Sequence, residues 1–138
     1  LKLFVDGAAR GNPGPAGIGV ILQEEDDTIL VEISESIGEV TNNVAEYTAL
    51  LMGLQEAESF HPDSLTIYTD SELMARQLLG QYQVRAEHLQ AMHQEAMIRL
   101  SRFPDVRICH ISRKDNKNAD RLASKAAQAE KDASSKQA

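Results

Sequence analysis

The sequence contains little with which to staple a chain or insert it into a membrane. Its single cysteine, Cys109, excludes an internal disulfide and a multi-cysteine zinc site, and an intracellular, cytoplasmic setting is the simplest expectation. No apolar run approaches the roughly 20 residues that a membrane helix needs, so no membrane partner is expected. The opening Leu1-Lys2-Leu3-Phe4-Val5-Asp6 puts an acid where a signal peptide has its apolar stretch. Neither a Walker phosphate loop nor a dinucleotide fingerprint occurs, which removes the sequence support for that nucleotide chemistry. Repeats, linkers and a second domain are likewise missing. A start at Leu1 rather than Met leaves room for a longer parent chain in which this domain is fused to another.

What is present suits one folded domain. The 138 residues are 42% hydrophobic and 25% charged, and a domain of this size buries roughly 68% of its unfolded surface. The net charge of −7 by itself argues against a phosphate-rich partner. Its distribution is uneven, however. Residues 21–72 hold 13 acids and no Lys or Arg, whereas residues 73–138 hold 12 basic and 7 acidic residues. Such a division fits either a solvated acidic surface or a cation-seeking acidic site beside a modest phosphate-binding face.

Period-2 alternation through Leu1, Leu3 and Val5 predicts a first strand, and 16–23 and 28–37 read as two more. Their short connections predict an antiparallel meander. Val44, Tyr47, Leu51 and Leu54 then recur at helical spacing, up to the break at His61-Pro62. A strand over 65–69, helices over 71–79 and 85–100, a strand over 106–111 and a helix over 116–131 complete a β-β-β-α-β-α-α-β-α order. This is a single α/β domain with a mixed sheet: three antiparallel strands, plus two joined by right-handed parallel crossovers, flanked by helices. The domain is expected to occupy 1–131, with 132–138 as a fraying tail.

Four acids stand among apolar neighbours at strand ends and helix starts: Asp6, Glu46, Asp70 and Asp120. In an α/β domain these positions converge at the carboxyl edge of the sheet. Four converging carboxylates repel one another, and divalent cations balance them most simply; all-oxygen ligands favour magnesium or manganese over zinc. Each acid also has an ordinary local use. Asp6-Gly7 could simply start a turn, Asn43 and Glu46 match a capping box, Asp70 could cap the next helix, and Asp120 suits a first helical turn. Around them, the loop from Arg10 to Gly14 and the triplet Thr41-Asn42-Asn43 offer backbone N–H groups, a hydroxyl and amides to sugar or phosphate oxygens.

Several blocks occur in order: Phe4-Val5-Asp6-Gly7, Gly11-Asn12-Pro13-Gly14-Pro15-Ala16-Gly17, Thr41-Asn42-Asn43-Val44-Ala45-Glu46-Tyr47, Tyr68-Thr69-Asp70-Ser71 and Asn118-Ala119-Asp120-Arg121-Leu122-Ala123. Together they resemble the type 1 ribonuclease H family over residues 1 to 127. The resemblance implies a five-stranded mixed sheet flanked by helices, and hydrolysis of the RNA strand of RNA/DNA hybrids to 5′-phosphate and 3′-hydroxyl ends. It implies that Asp6, Glu46, Asp70 and Asp120 are the catalytic, metal-binding set for two magnesium ions, with manganese as a substitute. It further implies substrate contacts from Gly11, Asn12, Thr41, Asn42, Asn43, Ser71, Arg113 and Asn116, in a monomer acting on the hybrid duplex.

Two departures from the family pattern stand out. Many members carry a histidine in the loop before the last carboxylate; residues 111–117 have none, and His110 falls within the predicted last strand. Many also carry a basic, tryptophan-containing protrusion, whereas residues 81–93 here hold one arginine and no tryptophan. The chain is thus closer in form to the short archaeal-type branch, with Arg113 and Asn116 supplying an Arg-x-x-Asn arrangement.

Overall fold

A computed structural model describes residues 1–136 as one five-stranded sheet with helices on both faces. Strands β1 (Lys2–Ala9), β2 (Gly14–Gln23) and β3 (Ile29–Val40) form the expected meander. Helix α1 (Asn42–Glu58) leads to β4 (Leu65–Thr69), and α2 (Glu72–Leu78) and α3 (Glu87–Leu100) lead to β5 (Val106–His110). A 3₁₀ turn, Lys114–Asn116, enters α4 (Lys117–Lys136). The sheet order is β3-β2-β1-β4-β5, with β1–β2 and β2–β3 antiparallel and β1–β4 and β4–β5 parallel.

Several boundaries differ from the sequence reading. Strand β1 continues through Gly7-Ala8-Ala9 because these residues pair with Ile18, Gly17 and Ala16, so the ladder overrides local turn preference. The first helix is capped by Thr41, whose Oγ1 accepts from the Val44 N–H at 3.3 Å, not by Asn43. The capping box does not form, because Glu46 reaches across to β1. The last helix runs on past 131 to Lys136, covering most of the segment expected to fray; residues 137–138 of that expectation lie outside the described residues.

The core lies chiefly between the sheet and α1, with α3 packed on α1; Leu3, Val5, Ile18, Val20, Leu22, Leu50, Leu54 and Ile67 are fully buried there. On the opposite face, α4 lies across β1, β2 and β3. Its small buried side chains Ala119, Ala123, Ala126 and Ala127 meet Gly17 and Gly19 of β2, where a Cβ would run into the α4 backbone. Ser34 and Ser36 of β3 donate to the carbonyls of Leu122 and Ala126 at 2.7 and 2.8 Å, which anchors the helix along its length. These contacts set the position of Asp120 in its first turn. Among the described residues no helix is long and apolar enough to cross a membrane.

Candidate metal and nucleic-acid site

Three of the four acids predicted at strand and helix ends meet at the carboxyl edge of β1 and β4. Asp6 projects from β1, Glu46 from the beginning of α1, and Asp70 from the junction between β4 and α2. Each offers one carboxylate oxygen, and those oxygens lie within 4.8 Å of one another. Close approach of α1 makes this convergence possible. Gly7 lies against the Ala45–Glu46 backbone, with no room for a side chain, and its N–H donates to Glu46 Oε1 at 3.1 Å.

Asp120 joins the same cavity, about 330 Å³, whose walls include all four carboxylates and the side chains of Arg10, Asn42 and Arg113. The Arg113 guanidinium lies 3.6 Å from Asp120 Oδ1. Because that arginine is 79% exposed, the pair contributes little stability, but it places a cation at the mouth of an acidic cavity.

Burial makes the cluster electrostatically costly. Asp6 is 4% exposed and Glu46 8%, and the buried Glu46 Oε2 has no hydrogen-bond partner among the described residues. Desolvation, followed by the charges of Glu46 and Asp70, pushes the Asp6 carboxyl well above its ordinary range. Burial raises Glu46 too, against the lowering effects first of the adjacent Asp6 carboxyl and then of its hydrogen bond from Gly7. Burial also raises Asp70, partly offset by a hydrogen bond from Asn116. A buried carboxylate oxygen without a donor, facing two further carboxylates, fits a hard divalent cation.

The sign of the pH dependence follows. A raised carboxyl binds more protons folded than unfolded, so its contribution to stability is lost as pH rises from about 4 through the raised value. In chelator, the melting temperature is expected to fall between about pH 5 and 8, and to fall less steeply in Asp6→Asn. Equal slopes for the two proteins, measured by thermal melting, would contradict the assigned repulsion.

The expected substrate contacts are distributed less uniformly. Exposed Asn42 lines the cavity; its Oδ1 accepts from the Ala9 N–H at 3.0 Å, and its own N–H donates to Asn12 Oδ1 at 3.1 Å. Both amides spend their oxygens within the protein, so their NH2 groups are the donors left for a ligand. Asn43 instead lines an adjoining cleft of about 530 Å³ with Tyr82 and Arg85. Gly11 sits in the loop between β1 and β2 at φ +119°, Thr41 caps α1, and Ser71 caps α2 through a 3.1 Å bond from the Met74 N–H. Asn116 is 1% exposed, lying behind Asp70 rather than on the rim. His110 is exposed at the end of β5, beside Thr69.

Arg10 was not singled out by sequence reasoning, which assigned its loop only backbone and amide donors. Its Nη2 donates to the Ser124 carbonyl at 3.3 Å, so the guanidinium spans the cavity wall from β1 to α4. The available signal was its position, a cation directly after the strand that carries Asp6.

Comparison with known proteins agrees with this fold. A family model described as reverse transcriptase-like matches residues 4–126. Ribonuclease HI of Halobacterium salinarum is 40% identical over 126 residues, covering 91% of this chain and 63% of that protein. The bifunctional protein Rv2228c of Mycobacterium tuberculosis is 36% identical over 127 residues, but only 35% of its length is matched. The chain therefore spans less than two thirds of these curated relatives. The solved N-terminal RNase H domain of the mycobacterial protein superposes with a TM-score of 0.89 at 36% identity, covering 91% of this chain and 97% of that one.

Proposed function

Because the chain belongs to the type 1 ribonuclease H family, with close relatives in the halobacterial branch, we propose that it is a metal-dependent endonuclease hydrolysing the RNA strand of RNA/DNA hybrids. The observation that carries the reading is the trio of buried Asp6 and Glu46 and half-buried Asp70, with a Glu46 oxygen that has no donor among the described residues. Such a cluster is costly to build and serves no packing purpose without a cation.

Asp6, Glu46 and Asp70 would hold the metal, and Asp120, steered by Arg113, would complete the set. When bound, divalent metal, two ions in this family's mechanism, supplies an activated water and neutralises charge on the leaving oxygen. The protein's own residues do the rest. The Gly7 N–H fixes one Glu46 oxygen, so that side chain is held in place before the substrate arrives. The free NH2 groups of Asn12 and Asn42, with Asn43 on the adjoining cleft, can donate to RNA 2′-hydroxyls and backbone oxygens without adding negative charge. Gly11, Thr41 and Ser71 border them. Arg10 and Arg113 offer cations to phosphate at the cavity wall. Contacts of this kind read the backbone and sugar, so cleavage is broadly independent of sequence, with 5′-phosphate and 3′-hydroxyl products. The domain would act as a cytoplasmic monomer or as a fused part of a longer protein.

The discriminating assay presents one labelled sequence as RNA/DNA hybrid, DNA duplex and RNA duplex, with magnesium or with chelator. Cleavage of the hybrid's RNA strand alone, only with metal, is expected. Comparable cleavage of the DNA duplex would replace the proposed substrate, and metal-dependent cleavage of none would favour a binding domain.

Arg113, Lys114, Lys117 and Arg121 are all exposed around the entrance to α4. They provide the densest positive approach in a chain of net charge −7. Hybrid affinity is expected to fall with salt, with a shallower log–log slope once Arg113, Lys114 and Lys117 are neutralised. Identical slopes in a binding titration would remove this segment from the phosphate interface.

A further inference from the structure

Asn116 is almost wholly buried, yet it is not idle. Its Nδ2 donates to the Val5 carbonyl at 2.9 Å and to Asp70 Oδ2 at 3.2 Å, using both hydrogens of the amide. The Val5 carbonyl belongs to the last registered pair of the β1–β4 ladder, Val5 with Thr69, and immediately precedes Asp6. The backbone N–H of Asn116 closes the 3₁₀ turn on the carbonyls of Ser112 and Arg113, and Asp120 follows one helical turn later. One side chain therefore connects the strand that carries Asp6, the Asp70 carboxylate and the segment that delivers Asp120.

The other end of the amide supports a role beyond filling space. Among the described residues, the buried Asn116 Oδ1 has no hydrogen-bond partner. That idle carbonyl is the cost of a side chain kept for its NH2 group. The two-donor NH2 group is what the position uses, because only two hydrogens on one nitrogen reach a strand carbonyl and a carboxylate together.

We infer that Asn116 is a positioning residue for the metal site: its amide holds one Asp70 oxygen so that the other faces Asp6 and Glu46, and it registers α4 against β1 so that Asp120 joins them. This rests on the reading of Asp70 as a metal ligand. Partners one shell out from a ligand typically set metal affinity by about 10–100-fold.

The test uses Mn2+ alone, with free ion counted by electron paramagnetic resonance, on wild type, Asn116→Ala and Asn116→Ser well below their melting temperatures. Wild type is expected to bind, Asn116→Ala to bind about 10–100-fold more weakly, and Asn116→Ser, whose hydroxyl is one atom too short to reach either acceptor, to be as weak as Asn116→Ala. Hybrid cleavage should show the same displacement in its metal half-saturation, while the KM for hybrid at saturating metal stays near wild type. A purely structural role would lower the metal-free melting temperature without moving the metal midpoint. Absence of Mn2+ binding to wild type would defeat the ligand reading itself. Binding by a folded Asn116→Ala within about twofold of wild type would defeat the positioning role alone. Should neither variant fold, the side-chain amide of ¹⁵N-labelled wild type decides: its resonances are expected to move with the magnesium titration, and unmoved resonances at saturating metal would overturn the inference.

Discussion

Asp70→Asn is expected to lose RNA/DNA hybrid cleavage by far more than the roughly 10–100-fold that removal of an outer-sphere partner costs, while folding as wild type does. Asparagine keeps the size of the side chain and caps a helix about as well as aspartate, so an activity that depended on capping would survive. The structure has already assigned that cap to Ser71, whose Oγ accepts from the Met74 N–H. What the substitution removes is one of three carboxylates whose oxygens lie within 4.8 Å of one another. With less mutual repulsion, metal-free stability should be retained or rise slightly. Cleavage across a magnesium titration, measured beside melting in chelator, checks both halves. Near-wild-type cleavage by the folded variant would remove Asp70 from the chemistry.

Gly7→Ala should fail in the opposite manner, losing stability and activity together. A methyl group at Gly7 would fall inside the Ala45–Glu46 backbone, a contact that no rotamer change relieves. Helix α1 would have to retreat from β1, breaking the Gly7 N–H to Glu46 Oε1 bond and carrying Glu46 away from Asp6. Overpacking of this kind typically costs about 1–3 kcal/mol, and a backbone-to-backbone clash belongs at or above the top of that range. Denaturant melting should therefore show a loss of about 3 kcal/mol or more. Unchanged melting with normal metal affinity would mean that α1 does not depend on this close approach to place Glu46.

These two residues also mark how far the sequence could be read. Strand and helix order followed from periodicity, because buried faces impose period 2 on a half-covered strand and 3.6 on an amphipathic helix. Asp6, Glu46 and Asp70 were legible as acids in apolar surroundings at element ends, and the structure brings the three together. What periodicity could not reach were features decided across the fold. The extension of β1 through Gly7-Ala8-Ala9 depends on pairing with β2, while Gly-containing segments viewed locally read as turns. Glu46 looked like the partner of Asn43 in a capping box, but its hydrogen bond goes to Gly7, far away in sequence. Asn116 carried a rim-like motif yet lies buried, because the 3₁₀ turn folds it under Asp70. Arg10 faces the cavity only because α4 returns across β1 to offer the Ser124 carbonyl.

The carboxylate cluster of Asp6, Glu46 and Asp70 is proposed as a divalent-metal site. A crystal soaked in Mn2+ and measured at an anomalous wavelength tests it most directly. Anomalous density is expected within coordination distance, about 2–2.6 Å, of the carboxylates of Asp6, Glu46 and Asp70, and is expected to be lost in Asp70→Asn crystals treated in the same way. Manganese bound elsewhere on the wild-type protein, with no peak between those three side chains, would contradict it.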